Sequence, residues 1–413
     1  MQLSNASINT GDLAWVLIAS SLIMLMTPAV GLFYGGMVRR KNVLSTIMLS
    51  FSVLILVTIQ WVLFGYSLTF GPDVAHLIGD FSWFGLEGVG ALPYAEYAQT
   101  IPHLAFMLFQ MKFAIITPAL ITGAFVERIR FSSFIIFTLL WTTLVYDPFA
   151  HWVWGVGGWL RNLGALDFAG GTVIHITAGV AALAMALVIR KRKGYGRIEM
   201  EPNSVLLTLL GTILLWFGWF GFNGGSALAA NGLAVHALVT TNIAAAAGAL
   251  AWMVLSWKRS RPSVIEVATG AVVGLVAITP ACGFVGVPAA IIIGTVASVV
   301  SYYCIQLRNR LQIDESLDVW ACHGMAGTWG AIATGIFASR AVNPAGADGL
   351  LYGNSRLFIA QVISVVVAWV FSFVATYAIA WTIDKTRGLG VGMAEEEVGL
   401  DISQHGEETY AGL

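Results

Sequence analysis

Charged side chains are scarce in this sequence, making up 10% of its 413 residues, whereas 58% are hydrophobic. Soluble domains carry about 25% charged residues, so a surface that is mostly in contact with water is excluded. Apolar runs of roughly the 20 residues that a helix needs to cross a bilayer recur along the whole chain. The scarcity of charge therefore predicts an integral membrane protein.

Cysteine is also rare, and the three residues Cys282, Cys304 and Cys322 lie in or beside apolar runs without a close-spaced pair. We interpret them as small packing residues and not as a disulfide or metal framework. The sequence lacks HExxH, a P-loop, an intramembrane carboxylate pair, and GxSxG in a strand–turn–helix context. With a net charge of −1 as well, we expect no enzyme, no cofactor or metal, and no nucleic-acid partner.

Eleven segments are predicted to be transmembrane helices of an all-α membrane protein. The start of the chain, MQLSNASINTGDLAW, lacks the positively charged region of a signal peptide, so the first segment is expected to be a span. The fourth segment is the weakest prediction, because its apolar core, 131–146, is short. The predicted helices are 13–38, 43–70, 101–126, 131–150, 168–189, 204–226, 235–257, 267–284, 287–307, 319–339 and 357–383.

The basic residues test this count through their bias toward cytoplasmic loops. Of the 21 lysines and arginines, seventeen fall in the odd-numbered connections or directly after the last helix. Three fall in even-numbered connections, and Lys112 lies within a helix. The alternation predicts that the N-terminus is outside and the C-terminus is cytoplasmic.

Two short motifs recur five helices apart. His-x-x-Ala-Gly occurs at 175–179 and 323–327, and Ile-Thr-Pro-Ala occurs at 116–119 and 278–281. Because five is odd, the second copy must cross the membrane in the opposite direction, which is typical of transporters whose substrate path lies between inverted repeats. We expect a transmembrane domain, 1–384, with five-helix repeats at about 13–190 and 204–340, and a cytoplasmic tail, 385–413. Helix 11 is then an appendage of about 40 Å, long enough to lie tilted.

The histidines differ in their predicted depth. His175 and His323 lie deep and at matching places in the two repeats, where polar residues usually line a cavity or pathway. The alternative is a packing pair that links two helices by hydrogen bonds. The other five are expected in an outer loop, in the tail, or at outer helix ends where water is available: His76, His405, His103, His151 and His236.

An aspartate precedes each deep histidine. Asp167 is eight residues before His175, and Asp318 is five residues before His323. Carboxylates favour helix N-termini, so capping is the preferred interpretation for Asp318. For Asp167 we expect capping and a functional role together.

Aromatic residues gather near the predicted outer ends of helices 3, 5 and 6, among them Phe113, Trp154 and Phe222. An aromatic face can attract a cation, although anchoring at the membrane interface and lipid contact are commoner uses, and composition leaves these alternatives open. The deep region is poor in fixed charge, so a bare ion would meet a steep desolvation cost. A simple water-filled cation pore, which would use carbonyl or acidic rings, is therefore excluded. We expect a small substrate that is neutral in the narrow part or hands its proton to the histidines.

Several segments together resemble the ammonium transporters of the Amt/Mep/Rh family, and of the microbial Amt type in particular. They are DFAGGTVIH at 167–175, FQMKFAIITPAL in helix 3, AHWVWG before helix 5, WFGFNGGSALAAN in helix 6 and DVWACHG in helix 10. The likeness extends from about residue 12 to the last residues. It implies a homotrimer in the cell membrane, in which each subunit encloses its own pore for ammonium, or for methylammonium as an analogue.

The resemblance also implies roles for residues near the outer side. Phe113, Trp154 and Ser226 would form the ammonium recruitment site. Phe113 and Phe222 would form a stacked phenyl gate below it, and Asp167 would support recruitment and deprotonation, mainly by holding structure.

Deeper in the pore, the resemblance makes His175 and His323 a hydrogen-bonded pair that lines a narrow hydrophobic path, with Trp219 and Tyr34 nearby. Ammonium would be attracted as a cation, give up its proton, cross as ammonia and be reprotonated inside. Whether the proton follows along the histidines stays open. So do two alternative functions: an ammonium sensor that signals through a cytoplasmic partner, and a channel for another small neutral molecule.

Two features depart from the family pattern. Lys112 sits beside Phe113 where family members often carry an uncharged residue, and we expect it to pair with an acid or carbonyl at a subunit interface, or to reach toward the outer vestibule. The tail, 395–410, resembles a regulatory C-terminus near which a PII-type signal protein docks, but the preceding segment is unusually glycine-rich. Taken alone, the acidic tail would be a solvated extension.

Overall fold

The computed structural model describes residues 8–409, which are mostly helical. Two small antiparallel sheets, β1 with β2 and β3 with β4, lie in the connection between the second and third helices. We number the long helices α1 to α11 in chain order. They are α1 Thr10–Met37, α2 43–70, α3 His103–Ile121, α4 131–154, α5 Gly171–Val188, α6 Val205–Gly224, α7 Gly232–Arg259, α8 Val264–Ile278, α9 Val287–Arg310, α10 320–337 and α11 Ser355–Arg387; the strands are β1 Asp73–Val74, β2 Ile78–Gly79, β3 Pro93–Tyr94 and β4 Ala98–Pro102.

Helical backbone occupies all eleven positions predicted from the sequence. Within residues 8–409, nine helical stretches are long and apolar enough to cross a membrane. The two that fall outside this group are α8, which is apolar but shorter, and α10, which carries His323. The protein is therefore a multi-pass membrane protein with at least this many apolar helices in its described part.

The fourth helix is longer than its short apolar core suggested. It continues from Phe131–Trp141 through a π-helical turn, Thr142–Tyr146, into Asp147–Trp154. Its apolar run is interrupted by Asp147, which is fully buried and accepts a 2.6 Å hydrogen bond from the Gln60 side chain of α2. A buried partner of this kind is what allows a polar residue inside such a helix.

The two repeats meet where α5 crosses α10. A Cβ atom on Gly179 would lie 2.1 Å from the backbone nitrogen of Gly324, so only glycine permits this approach. A Cβ on Gly327 would lie 3.1 Å from the Cβ of His175. The glycine of each His-x-x-Ala-Gly motif thus packs against, or next to, the histidine of the other repeat. This reciprocal contact gives the repeated motif a physical meaning.

Outside this crossing, some helices pack against their neighbours in the chain and others against helices that are distant in the chain. Helix α1 packs along α6, α7 packs against both α8 and α9, and α11 packs against α5. Small residues such as Gly248 and Gly274 let α7 and α8 approach closely, as is typical of membrane helix pairs.

The described part of the tail is folded against the rest of the chain, so its interpretation as a solvated extension is wrong. Asp401 accepts hydrogen bonds from the backbone N–H groups of Leu44 and Ser45, at 3.1 and 2.7 Å, and thereby caps α2. Glu396 is buried and pairs with Arg190 at 2.6 Å. Tyr410, the last residue of the predicted tail motif, lies outside the described residues.

Candidate functional site

Both deep histidines lie in π-helical turns rather than in regular α-helix. His175 belongs to Gly171–Ile176 at the start of α5, and His323 belongs to Trp320–Met325 at the start of α10. A third π-helical turn, Phe220–Gly224, carries Phe222 at the end of α6. Such turns widen the helix locally and are frequent at functional sites.

The two imidazoles contact each other directly. Their Nδ1 atoms are 3.2 Å apart and their ring centroids 5.3 Å apart, with a 22° angle between the ring planes. One Nδ1 must donate and the other accept, so the pair shares one proton between the rings. Each neutral imidazole carries one N–H. The ring that donates from Nδ1 therefore has an Nε2 that can only accept, and the ring that accepts at Nδ1 carries its own proton on Nε2.

A cavity of about 10 Å³, the histidine cavity, lies beside this pair. Its volume is at the lower limit for one water-sized molecule. His175 Nε2 is buried without a hydrogen-bond partner in residues 8–409, so this ring keeps an unused polar atom. The lining is otherwise apolar or aromatic: Met26, Val30, Phe33, Tyr34, Ile116, Leu120, Leu215, Trp219, Phe222 and Val272.

Trp219 holds His175 from the side away from His323. The two rings stack at 5.4 Å and 19°, and the indole N–H donates to the Thr279 hydroxyl at 2.9 Å. Thr279 belongs to the second Ile-Thr-Pro-Ala motif, whose Pro280 carbonyl accepts from the Phe168 N–H at 3.1 Å. The motif therefore joins the stacked indole to the loop that precedes α5.

A larger cavity of about 220 Å³, the Trp154 cavity, lies beyond Phe222. Phe113, Trp154 and Ser226 all line it, so the structure brings together the three residues predicted for recruitment. The Trp154 indole N–H donates to the Asp167 carbonyl at 3.0 Å, and the Ser226 hydroxyl donates to the Phe222 carbonyl at 2.8 Å. Phe113 and Trp154 pack edge to face at 5.9 Å.

Phe113 and Phe222 close the way between these two cavities. Their ring centroids are 4.5 Å apart and both side chains are buried. The rings are tilted by 48° and are not parallel, so the expected stacked pair is a tilted contact. A polar or charged molecule could pass only after these rings rotate.

Asp167 caps α5, as expected. Its carboxylate accepts from the backbone N–H groups of Gly170, Gly171 and Thr172, each at 2.7 Å, and from the Thr172 hydroxyl at 2.5 Å. Several donors on one carboxylate stabilise its charged form and fix its position. The same residue lines the Trp154 cavity.

On the other side of His323 lies a cavity of about 330 Å³, the Arg259 cavity. His323, Tyr34, Phe33 and Val272 line both this cavity and the histidine cavity. The Tyr34 hydroxyl donates to the Leu120 carbonyl at 3.0 Å. The three cavities thus form a series, closed by two phenyl rings at one step and by His323 with its neighbours at the next.

The capping role expected of Asp318 is wrong. Asp318 lies 2.9 Å from the guanidinium of Arg308, while Glu315 accepts from the Trp320 N–H with both carboxylate oxygens, at 3.1 and 3.2 Å. Glu315 is eight residues before His323, the same spacing that separates Asp167 from His175. This shared spacing could have identified Glu315 as the capping residue, but we assigned the cap to Asp318, which is nearer to His323.

Two other histidines are less accessible than predicted. His103 is 3% exposed and bonds the Tyr66 hydroxyl at 2.5 Å, and His151 is 0% exposed and contacts Asp73 at 2.9 Å. The connection between α2 and α3 covers both rings, so neither is in contact with water. His236 is half-buried and bonds the Val285 carbonyl at 2.8 Å.

Lys112 has no acidic partner within the described part of its own chain, and the pairing expected at a subunit interface stays a prediction. Its ammonium group contacts the Met111 sulfur at 3.9 Å, and no carboxylate of residues 8–409 lies within ion-pair distance of it. The side chain is half-buried and does not line the Trp154 cavity as described. Nothing in the structure explains this lysine.

Comparison with known proteins decides the family. A model described as the Ammonium Transporter Family matches residues 14–410. The chain belongs to this family. It is 50% identical over 400 residues to ammonium transporter Amt1 of Archaeoglobus fulgidus, covering 97% of this chain and 99% of that protein. It is 49% identical over 402 residues to the ammonium transporter of Bacillus subtilis, covering 97% and 98%.

Solved structures agree with this assignment to the transporter family. The crystal structure of Candida albicans Mep2 superimposes with a TM-score of 0.90 at 36% identity, covering 98% of this chain and 91% of that one. A structure described as a sensor Amt protein gives a TM-score of 0.87 at 28% identity, covering 96% and 98%. The family resemblance predicted from the sequence motifs is confirmed.

Proposed function

We propose that this protein recruits ammonium at the Trp154 cavity, deprotonates it and conducts ammonia past His175 and His323. The observation that carries the proposal is the order of the cavities: an aromatic vestibule, a phenyl barrier, and an apolar space of about 10 Å³ beside two paired imidazoles. Membership of the Ammonium Transporter Family supports ammonium as the substrate.

Recruitment follows from the aromatic faces of Phe113 and Trp154. A cation held over such rings is stabilised by about 0.5–2 kcal/mol, and the Ser226 hydroxyl supplies an acceptor for one N–H. The Asp167 carboxylate adds negative charge close by but has its oxygens occupied by backbone donors, so we assign it a supporting role.

Passage of the charged ion would fail at the phenyl barrier, because desolvating an ammonium ion in an apolar space costs many kcal/mol. Ammonia is neutral and can both donate to and accept from the two histidines. Ammonium gives its proton to water in the Trp154 cavity before the barrier. Ammonia takes up a proton on the far side, either from water there or as the same proton relayed along the imidazoles.

The same proposal includes an arrangement in the membrane. The alternating distribution of basic residues and the reciprocal crossing of α5 and α10 support eleven spans, two inverted repeats, an N-terminus outside and a cytoplasmic C-terminus. We propose the cell membrane as the location and a homotrimer as the assembly. The described tail, folded over the basic connections, offers a surface for a PII-type signal protein.

The test is transport in proteoliposomes with ammonium and methylammonium, recording current and internal pH together. We expect His175→Ala combined with His323→Ala to abolish both signals while the assembly stays intact by size-exclusion chromatography. His76→Ala, which removes an exposed imidazole that lines none of the three cavities, is the control. Conduction that is unchanged in the double variant would refute the assignment of the pore.

A second candidate function is ammonium sensing through a cytoplasmic partner. The likeness to the sensor Amt protein favours keeping it. Trp154→Leu separates the two: loss of flux supports conduction, and persistent flux with altered partner binding supports sensing. Passage of another small neutral molecule is less favoured, because an aromatic vestibule with a hydroxyl acceptor suits a cation.

A further inference from the structure

Glu315 occupies the place in the second repeat that Asp167 occupies in the first. Each acid precedes its histidine by eight residues, and each accepts the backbone N–H five residues ahead of it, Trp320 or Thr172. Both residues therefore fix the first turn of the helix that carries a pore histidine. Glu315 does so with its two oxygens on a single N–H group.

The surroundings of Glu315 differ from those of Asp167 in charge. The side chain is fully buried, and Asp318 brings a second negative charge to the same short segment. Arg308 approaches from α9, but its guanidinium bonds the Glu315 carbonyl at 2.8 Å and lies 2.9 Å from the Asp318 carboxylate. Tyr34 of α1 and Cys322 of α10 also lie near it, and the preceding residue, Asp314, pairs with Arg128 and Arg192.

We propose that Glu315 is a positioning residue for His323 and that its protonation makes conduction respond to pH on the cytoplasmic side. This inference rests on the proposed function. The residue lies in the connection between α9 and α10, next to Ser316 and Asp318, which line the Arg259 cavity. Glu315 is buried and does not line the cavity itself, so a proton would reach it from the cavity only by way of these neighbouring residues.

The direction of the response follows from the hydrogen bond. Ionised Glu315 places a negative charge at the N-terminus of α10 and accepts the Trp320 N–H with both oxygens, which fixes the orientation of the turn that holds His323. Burial makes this charged form less stable than the neutral one, so the effect of the charge is on orientation and not on overall stability. A proton on the carboxyl group removes that charge and occupies one of the two accepting oxygens. Burial first, and then the neighbouring Asp318, raise the pKa of the Glu315 carboxyl to about 7, within the range where cytoplasmic pH varies.

The experiment is methylammonium uptake into proteoliposomes at fixed external pH and internal pH from 6 to 8. Internal pH also changes the driving force, so each flux of the unaltered protein is divided by that of Glu315→Gln at the same pH. We expect this ratio to rise at least twofold from pH 6 to pH 8, with a midpoint near 7. A ratio that stays flat would overturn the inference and leave the proposed function intact.

Asp318→Asn provides a second variant in case Glu315→Gln does not fold. Removal of this negative neighbour lowers the pKa of Glu315, so the midpoint of the flux profile should move to more acidic internal pH. Infrared spectra of the unaltered protein should show a protonated carboxyl band that disappears between pH 6 and 8. A band that persists to pH 8, or a flux midpoint that Asp318→Asn leaves unchanged, would contradict the inference. No uptake at all by the unaltered protein would instead refute the proposed function.

Discussion

Asp167 and Glu315 perform the same structural task with different numbers of donors. Asp167 accepts from four backbone N–H groups and a hydroxyl, whereas the Glu315 carboxylate accepts the Trp320 N–H with both oxygens and has an aspartate nearby. Burial raises the pKa of both carboxyl groups, and hydrogen-bond donors oppose that rise. Glu315 has fewer donors, and its pKa of about 7 lets it change its charge near neutral pH. The two repeats thus share a carboxylate cap at the start of α5 and α10, but the two carboxylates differ in their hydrogen-bond donors.

His175 and His323 also differ in their surroundings. His175 is covered by Trp219 and contacts Phe222, and its Nε2 is enclosed. His323 lines the Arg259 cavity and so borders a space of about 330 Å³. One ring of the pair is therefore held by aromatic packing, and the other is held mainly by its helix turn and by its partner ring.

The largest effect that this comparison predicts is on Asp167. Asp167→Ala removes five hydrogen bonds to a carboxylate and should lower the free energy of unfolding by about 2–4 kcal/mol and abolish uptake. Glu315→Ala, the matched change in the other repeat, removes one cap and should cost about 1 kcal/mol. Melting temperatures in detergent compare the two, and equal losses would show that the caps are equivalent.

The next largest loss of stability is expected from glycine substitutions where α5 crosses α10. Gly179→Ala would put a Cβ 2.1 Å from a backbone nitrogen and should destabilise the protein by about 1–3 kcal/mol. Gly327→Ala, whose new Cβ would meet its nearest atom at 3.0 Å, should cost clearly less. Thermal unfolding and the histidine-dependent flux both report this order. A larger loss in Gly327→Ala would mean that the two glycines do not pack as described.

Stability as a function of pH tests Glu315 independently of transport. The folded protein holds this proton up to about pH 7, whereas an unfolded glutamate releases it near 4.5. The stabilising contribution is therefore present below pH 4.5 and is lost as pH rises to about 7, by about 3 kcal/mol at most. Melting temperatures of Glu315→Gln should lack this decline. A parallel decline in both proteins would assign it to another group.

The smallest expected effect concerns the two Ile-Thr-Pro-Ala motifs. Thr279 and Thr117 both donate to a backbone carbonyl of their own helix, at 2.8 and 2.7 Å, but only Thr279 also accepts from Trp219. Thr279→Val should cost about 1 kcal/mol and reduce uptake a few-fold by loosening the indole over His175. Thr117→Val is the control and should leave uptake nearly unchanged. Equal effects would remove the special role of Thr279.

Much of this architecture could be predicted because apolar runs and basic connections are local properties of the sequence. The histidine pair could be predicted because His175 and His323 are the deep polar residues in matching motifs. Glu315 was missed because the repeat exchanged aspartate for glutamate there, and Asp318 offered a nearer carboxylate. The burial of His103 and His151 depends on how the connection 71–102 folds over them, which no helical period reveals.

The π-helical turns could not be predicted either. They arise from packing between elements far apart in the chain, and their composition resembles that of ordinary α-helix. Six occur in residues 8–409: three carry His175, His323 and Phe222, and the other three, 61–65, 142–146 and 401–405, line none of the three cavities. The Gln60–Asp147 hydrogen bond likewise joins two helices, so the sequence pattern of either helix alone does not predict it.

The histidine cavity has room for a single small guest. If the protein conducts ammonia as proposed, water and ammonia, which are close in size, would exclude each other from that position, and a chain of waters that could carry protons would not form past the guest. Methylammonium, once deprotonated, is bulkier than the space allows and must displace Phe222 or Leu215 to advance. Selection by volume and insulation against proton leak are then two results of one small dimension.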